Sequence, residues 1–270
     1  MEVLTVDIPY KTSNSEFRLY AIGDEHVGTK HFAEKQFTKM VNTIKNDPNG
    51  MWIDMGDACE FIAPSDPRWD VGGVADWVSP DNIATDQCNY FTKLVEPIKS
   101  KCIGKVEGNH CDAMRIHYHI DVHKNICNAL GIPSLGYSGY VRFRFKRANS
   151  NESHTVTGYF THGSGSAATK GGKLNRLQRI MDNFEADIYG IGHMHELITD
   201  SRPYLSLDDT NHIVHRVKVG AVTGCWFRTY TEGVRASYGE KRGYAPVSIG
   251  YPVFTIDPGK GTITVKAVEM

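Results

Sequence analysis

Apolar and β-branched residues recur along the chain in short runs, each followed by polar or glycine-rich residues. The runs at 2–8, 17–23, 51–56, 102–107, 139–147, 155–161, 187–192, 212–220, 252–256 and 262–268 are of strand length and composition. Between some of them lie helical stripes. Phe32, Phe37, Met40, Val41 and Ile44 keep i, i+3, i+4 spacing, as do Phe91, Leu94, Val95 and Ile98, and the clearest stripe is Leu174, Leu177, Ile180, Met181 and Phe184. A fourth helix is expected over about 113–130, closed by Gly131 with Pro133 beyond. Strands alternating with helices through two thirds of the chain, then mostly strands, predict a layered α/β fold. Without a repeat, a low-complexity tract or a linker, residues 1–270 read as a single domain. Two stretches break the pattern. Residues 59–85, with Pro64, Pro67, Gly72, Gly73, Pro80, Trp69 and Trp77, read as a long ordered loop. Residues 224–250 carry Trp226, Phe227, Arg228, Tyr230, Arg235, Tyr238, Arg242 and Tyr244. That segment either packs on its own domain or meets a substrate, a partner or a second copy of the chain.

Composition narrows the function. Lys and Arg number 30 against 31 Asp and Glu, a formal charge of −1, which argues against a general polyanion binder. Hydrophobic residues at 40% and charged residues at 23% argue against extensive disorder. No apolar run reaches the roughly 18–20 residues of a bilayer span, so no membrane partner is expected. The opening MEVLTVDIPYKTS lacks the basic-then-apolar pattern of a secretory signal. The six cysteines, Cys59, Cys88, Cys102, Cys111, Cys127 and Cys225, form no CxxC pair, which fits reduced thiols and a cytoplasmic protein. Twelve histidines, several beside Gly, Asp or Asn, turn attention to metal.

The strand ends carry the chemistry. Run 17–23 leads into Asp24-Glu25-His26, 51–56 into Asp57, 102–107 into Gly108-Asn109-His110, 155–161 into His162-Gly163, and 187–192 into His193-Met194-His195. Five times an apolar run delivers a hard-oxygen or imidazole donor, and the carboxyl ends of strands in α/β sheets face a common crevice. Asp24, His26, Asp57, Asn109, His162, His193 and His195 are too many for one ordinary site. They suit two divalent ions sharing a bridging carboxylate, for which Asp57 is the natural choice. Taken singly, DxH or GNH would be an ordinary turn; in this series the motifs point to a dimetal site.

The series DxH, GD, GNH, H and GHxH, running from Asp24 to His195, resembles the calcineurin-like metallophosphoesterase superfamily. The resemblance implies a double β-sheet sandwich flanked by helices, with a dimetal site at the strand C-terminal ends. It implies one ion on Asp24, His26, Asp57 and His195 and another on Asp57, Asn109, His162 and His193, with His110 facing the substrate. Two positions depart from the family pattern. Cys111 follows the GNH histidine where an acidic residue is usual, with Asp112 next, and Glu60 stands three residues after Asp57 in place of a shorter Asp or Asn.

Such a site would hydrolyse phosphate esters by in-line attack of a hydroxide between the metals, with His110 as acid for the leaving group. Manganese is the expected ion, with Fe, Zn, Ni and Mg as alternatives. Gly163-Ser164-Gly165-Ser166 and the lysines Lys170 and Lys173 lead into a helix, a setting that binds anions, and Arg115 could grip a substrate phosphate. These cations favour a phosphodiester substrate, nucleotide or nucleic acid, and so a phosphodiesterase or nuclease. The alternatives are a phosphomonoesterase on nucleotides or phosphoproteins, and a catalytically silent metal-binding scaffold. His119 and His123, four apart on the fourth helix, read as surface residues or as an accessory metal pair. Cys59 and Cys111 read as thiols near the site, reactive if exposed.

Overall fold

The computed structural model describes residues 1–165 and 167–270, so Ser166 of the glycine-rich turn lies outside the described residues. In chain order the elements are β1 (Glu2–Tyr10), β2 (Phe17–Ile22), α1 (Glu34–Asn46), β3 (Gly50–Asp54), α2 (Ile83–Val95), β4 (Cys102–Lys105), α3 (Asn109–Tyr118) and α4 (Val122–Leu130). They continue with β5 (Ser138–Arg147), β6 (Ser153–Thr161), α5 (Lys170–Asn183), β7 (Ile188–Ile191), β8 (Leu197–Leu207), β9 (Ile213–Thr223), α6 (Tyr238–Lys241), β10 (Gly250–Asp257) and β11 (Thr262–Glu269).

The strands form two sheets, one ordered β1-β5-β6-β7-β9-β8 and the other β11-β10-β2-β3-β4. Alternation along each strand decides which layer a side chain enters. Leu19, Ala21, Ile53 and Phe254 of the second sheet meet Val141, Phe143, Phe145, Ile188 and Val219 of the first in one buried cluster between the sheets. The intervening Tyr20, Ile22 and Trp52 point the other way, onto Phe37, Met40 and Ile44 of α1, Phe91 of α2 and Ile126 of α4. Tyr159 and Tyr189 on the outer face of the first sheet pack against Leu177 and Met181 of α5. The result is the double-sheet sandwich flanked by helices that the resemblance implied. On β5, Phe143 and Phe145 are buried while Arg142, Arg144 and Lys146 line the wetter face, an ordinary amphipathic strand.

Several expectations need correction. The helix over 113–130 is two helices: α3 ends at left-handed His119, and the Asp121 side chain opens α4 by accepting from Lys124 N at 2.9 Å. The stripe through Ile98 leaves α2 for a 3-10 turn, Glu96–Lys101, where Pro97 has no N–H to continue the helix. Phe32 precedes α1 and instead bridges to Phe227. The 59–85 loop contains a 3-10 turn at Val71–Gly73, capped by Asp70, and its last residues already belong to α2. Strand β8 escaped the hydrophobic pattern. It is an edge strand paired only with β9, so it tolerates Asp200, Arg202 and Pro203.

A buried ion pair fixes the strand ends beneath the site. Lys105 Nζ donates to both carboxylate oxygens of Asp54 at 2.8 Å, and neither side chain is exposed. Asp54 Oδ1 also accepts from Gly56 N at 2.9 Å, and its carbonyl accepts from Val106 N at 2.7 Å. Lys105→Met should therefore leave a buried carboxylate unpaired and cost about 3–5 kcal/mol, measured as a lower urea midpoint. Adding Asp54→Leu should restore most of that stability. A single variant within about 1 kcal/mol of wild type, inside the range of unremarkable substitutions, would show that the pair does not hold the strand ends.

Candidate metal centre

Strands β2, β3 and β4 run parallel, as do β6 and β7, so their C-terminal ends open toward the same loops. Hydrogen bonds cross-link those loops. Asp24 N donates to Gly56 O at 2.8 Å and His26 N to Asp57 O at 3.1 Å. His193 N donates to Asp24 Oδ2 at 2.8 Å, and His110 N donates to Asp57 Oδ1 at 2.9 Å. Two glycines make the approach feasible. A side chain at Gly56, whose φ is +95°, would lie 2.6 Å from His162 Nδ1, and one at Gly108 would strike the Asp57 carboxylate.

The backbone marks the same residues. Nine non-glycine residues among those described have left-handed φ, and five of them are Asp24 (53°), His26 (52°), Asp57 (52°), His193 (69°) and His195 (46°). Asp and His enter this region more readily than most residues, but its concentration on one set of loops is the kind of strain that a functional site retains.

The side chains converge in two adjoining groups. In one, His26 Nε2 lies 2.9 Å from His195 Nε2, and Asp24 Oδ1 lies 3.4 Å from His195 Nε2 and 4.0 Å from His26 Nε2. In the other, His162 Nε2 lies 3.1 Å from Asp57 Oδ2 and 3.0 Å from Asn109 Oδ1, with His193 within reach of the same point. Asp24 Oδ1 is buried without a hydrogen-bond partner. A cation among these donors would satisfy it, so the residues present fit a metal. A further set, His26, Glu60 and His110, is equally tight, but there Glu60 already serves the two imidazoles as a hydrogen-bond partner.

Outer partners orient the imidazoles, an arrangement usual for histidines that hold a metal. His162 Nδ1 donates to Met55 O at 2.8 Å, and His26 Nδ1 pairs with Glu60 Oε2 at 2.6 Å. His110 Nδ1 donates to the Glu60 carbonyl, so the two departures from the family pattern have one answer. Glu60 reaches His26 with its longer side chain and His110 with its backbone. Asp112 does not substitute for the missing acid, because it binds Arg115.

Charge is balanced locally. Burial works against ionised Asp57, yet His162 and His110 hold its carboxyl well below the usual range; at Asp24 burial is opposed mainly by His195, and that carboxyl too is lowered. Burial likewise opposes a proton on His162, but Asp57 and Asp24 raise its pKa to about 9, and Asp24 raises His195 in the same way. Burial lowers His26 and His193. Glu60 falls to about 2, its burial outweighed by His26. The same two carboxylates that favour a proton on His162 and His195 would favour a divalent cation among these donors, which would compete with protons for the imidazoles.

The other residues singled out in the sequence fall elsewhere. Arg115 lies on α3 and is bound by Asp112 and, at 3.5 Å, by Glu107. Lys173 pairs with Glu196 at 3.0 Å, beside His195, while Lys170 is exposed at the start of α5, where Thr169 takes the Gly172 N–H. His119 caps α3 in solvent, but His123 is buried, with its Nε2 2.7 Å from Ser134 Oγ, so the two form no metal pair and His123 is no surface residue. Cys59 and Cys111 are buried, and burial pushes both thiols up, which removes the expected reactivity. Sequence reasoning gave no role to Arg68, whose charge helps to lower Glu60, or to Phe227, whose ring packs 5.5 Å from His26 and 6.1 Å from His195. Phe227 had a signal as one of the aromatics in the irregular second loop; Arg68 had none.

No helix of the described residues is long and apolar enough to cross a membrane. No protein-family model matches the chain, and no curated protein does. Among solved structures it is similar to the NAD nucleotidase of Haemophilus influenzae, at 9% identity and a TM-score of 0.45, over 96% of this chain and 50% of that one. The chain thus spans half the length of the nucleotidase. It is also similar to Vps29 of Chaetomium thermophilum, at 11% identity and a TM-score of 0.39, over 93% of this chain and 97% of that one. A protein serine/threonine phosphatase of Saccharomyces cerevisiae is similar at 12% identity and a TM-score of 0.35, over 98% of this chain and 84% of that one.

Proposed function

We propose that this chain is a metal-dependent phosphoesterase that hydrolyses phosphodiesters of the nucleotide type. Asp24, His26, Asp57 and His195 would hold one divalent ion, and Asp57, Asn109, His162 and His193 the other, with Asp57 shared. The observation that carries the reading is the buried Asp24 Oδ1, which no donor hydrogen-bonds, inside a donor set made only of oxygen and imidazole. Two cations bound there would activate water near neutral pH and offset the charge on a phosphoryl group.

The chain's own residues supply orientation and the proton. His110 stands across the Asp57 carboxylate, its Nε2 3.9 Å from Asp57 Oδ2. With Nδ1–H given to the Glu60 carbonyl, the second proton of the His110 imidazolium sits on Nε2 and is the one it would deliver to the departing oxygen, leaving a neutral imidazole. The preference for a diester rests on the far side of the centre. Gly163, next to His162, borders a cavity of about 520 Å³ lined by Arg176 and Arg179 of α5. In a polynucleotide the arm beyond the scissile phosphate carries the next phosphate, an anion that such a lining would suit.

Activity on bis-p-nitrophenyl phosphate should vanish in EDTA and return with Mn²⁺ more fully than with Mg²⁺, because four imidazoles among seven donors suit the softer ion. Full activity in excess chelator would overturn the metal reading. A large preference for p-nitrophenyl phosphate over the diester would overturn the substrate reading and leave the metals in place.

A further inference from the structure

The two segments that break the strand–helix pattern meet beside the metal centre. Asp70 of the first accepts from Lys241 of the second at 2.8 Å and forms an ion pair with its Arg235 at 3.1 Å, and the other Asp70 oxygen accepts from Gly72 N at 3.0 Å. Lys30 N donates to Gly73 O at 2.8 Å, and His31 Nδ1 pairs with Thr231 Oγ1 at 3.0 Å. Between the segments lies a cavity of about 160 Å³ whose lining includes Glu60, Arg68, Trp69, Phe227 and Tyr238. It is therefore braced from both sides before any ligand arrives, which lowers the cost of binding.

Its position and size decide what it can take. Glu60 and Phe227 are shared with the metal centre: Glu60 binds His26 and His110, and the Phe227 ring touches His26 and His195. The cavity thus begins one side chain away from the candidate ligands, on the side of the proton donor. Pockets that enclose a whole small ligand run to about 300–1,000 Å³, so this one holds a part of a substrate. Three aromatic residues in its lining favour a flat, polarisable ring. Asp66 takes the Nε and Nη2 edge of Arg68, at 3.0 and 2.8 Å, which leaves the Nη1 end for a ligand oxygen.

We propose that this cavity is a subsite for the planar ring of the group esterified to the phosphate, a nucleobase in a nucleotide substrate, with Trp69 and Tyr238 as its stacking walls and Arg68 at its charged rim. The proposal rests on the phosphodiesterase reading for the position of the phosphate but not for the binding of the ring. On that basis the irregular loops select the substrate and the strand ends act on it.

Calorimetric titration of the manganese-loaded protein with adenosine monophosphate, thymidine monophosphate and inorganic phosphate tests it. Both nucleotides should bind about tenfold or more tightly than phosphate, the effect of one base–aromatic stack. Trp69→Ala and Tyr238→Ala should each bring the nucleotides close to phosphate, with circular dichroism and metal content unchanged. Adenosine alone, added without metal, should quench tryptophan fluorescence in the wild type and much less in Trp69→Ala. Equal affinity for nucleotide and phosphate together with no quenching overturns the subsite, as does a nucleotide preference that both alanine variants retain. A protein that fails to bind manganese yet shows Trp69-dependent quenching keeps the subsite and loses the metal centre.

Discussion

Asp57→Asn is expected to lower kcat/KM on bis-p-nitrophenyl phosphate by more than about 100-fold, beyond the 10–100-fold typical of an outer partner of a metal ligand, and to leave fewer than two ions per chain. Asp57 is the one carboxylate that would serve both ions. Its Oδ2 faces His162 Nε2 at 3.1 Å, and its Oδ1 accepts the His110 backbone N–H. An amide oxygen can keep that backbone bond, so the loop that carries His110 should survive the substitution. What the amide cannot keep is the negative charge that the buried Asp57 carboxylate would place between two cations. Activity and metal content, the latter by elemental analysis, read the two effects separately. A near-normal Asp57→Asn beside a crippled Asp24→Asn would move the shared position to Asp24.

The strand-end donors were legible because each follows an apolar run directly, and a sheet brings the ends of its parallel strands together whatever lies between them in sequence. Asp24 follows β2 of one sheet and His195 follows β7 of the other, 171 positions along the chain, and the packing of the two sheets sets them 3.4 Å from each other. The strand itself was legible in the run 17–23, though not which of Leu19, Tyr20, Ala21 and Ile22 enters which layer. Features that depend on tertiary context were not. Strand β8 looks polar because an edge strand buries little. His123 looks like a helix-surface residue until the break at His119 turns α4 and buries it. Glu60 showed only as a departure from a motif, and its double service to His26 and His110 needs both a side chain and a carbonyl placed in space. Arg68 and Trp69 carry no local pattern at all. Their position follows from the Asp70 contacts with Arg235 and Lys241, more than 160 residues along the chain.

His110→Ala separates an enzyme from a metal-binding scaffold. The His110 imidazole has its Nε2 3.9 Å from Asp57 Oδ2, beyond hydrogen-bond distance, and its Nδ1 fixed by the Glu60 carbonyl. Removing it should leave about two ions per chain, because the seven donors remain. Turnover of a dinucleotide should fall by about 10²–10⁴-fold, the usual worth of a general acid. Bis-p-nitrophenyl phosphate should suffer much less. A p-nitrophenolate departs without a proton, whereas a nucleoside alkoxide needs one, so proton donation matters most where the leaving group is worst. Equal losses on both substrates would mean that His110 steadies charge on the phosphoryl oxygens and delivers no proton. Loss of the metals would make the GNH turn a pair of ligands, and the proton would then have to come from another group at the mouth of the site.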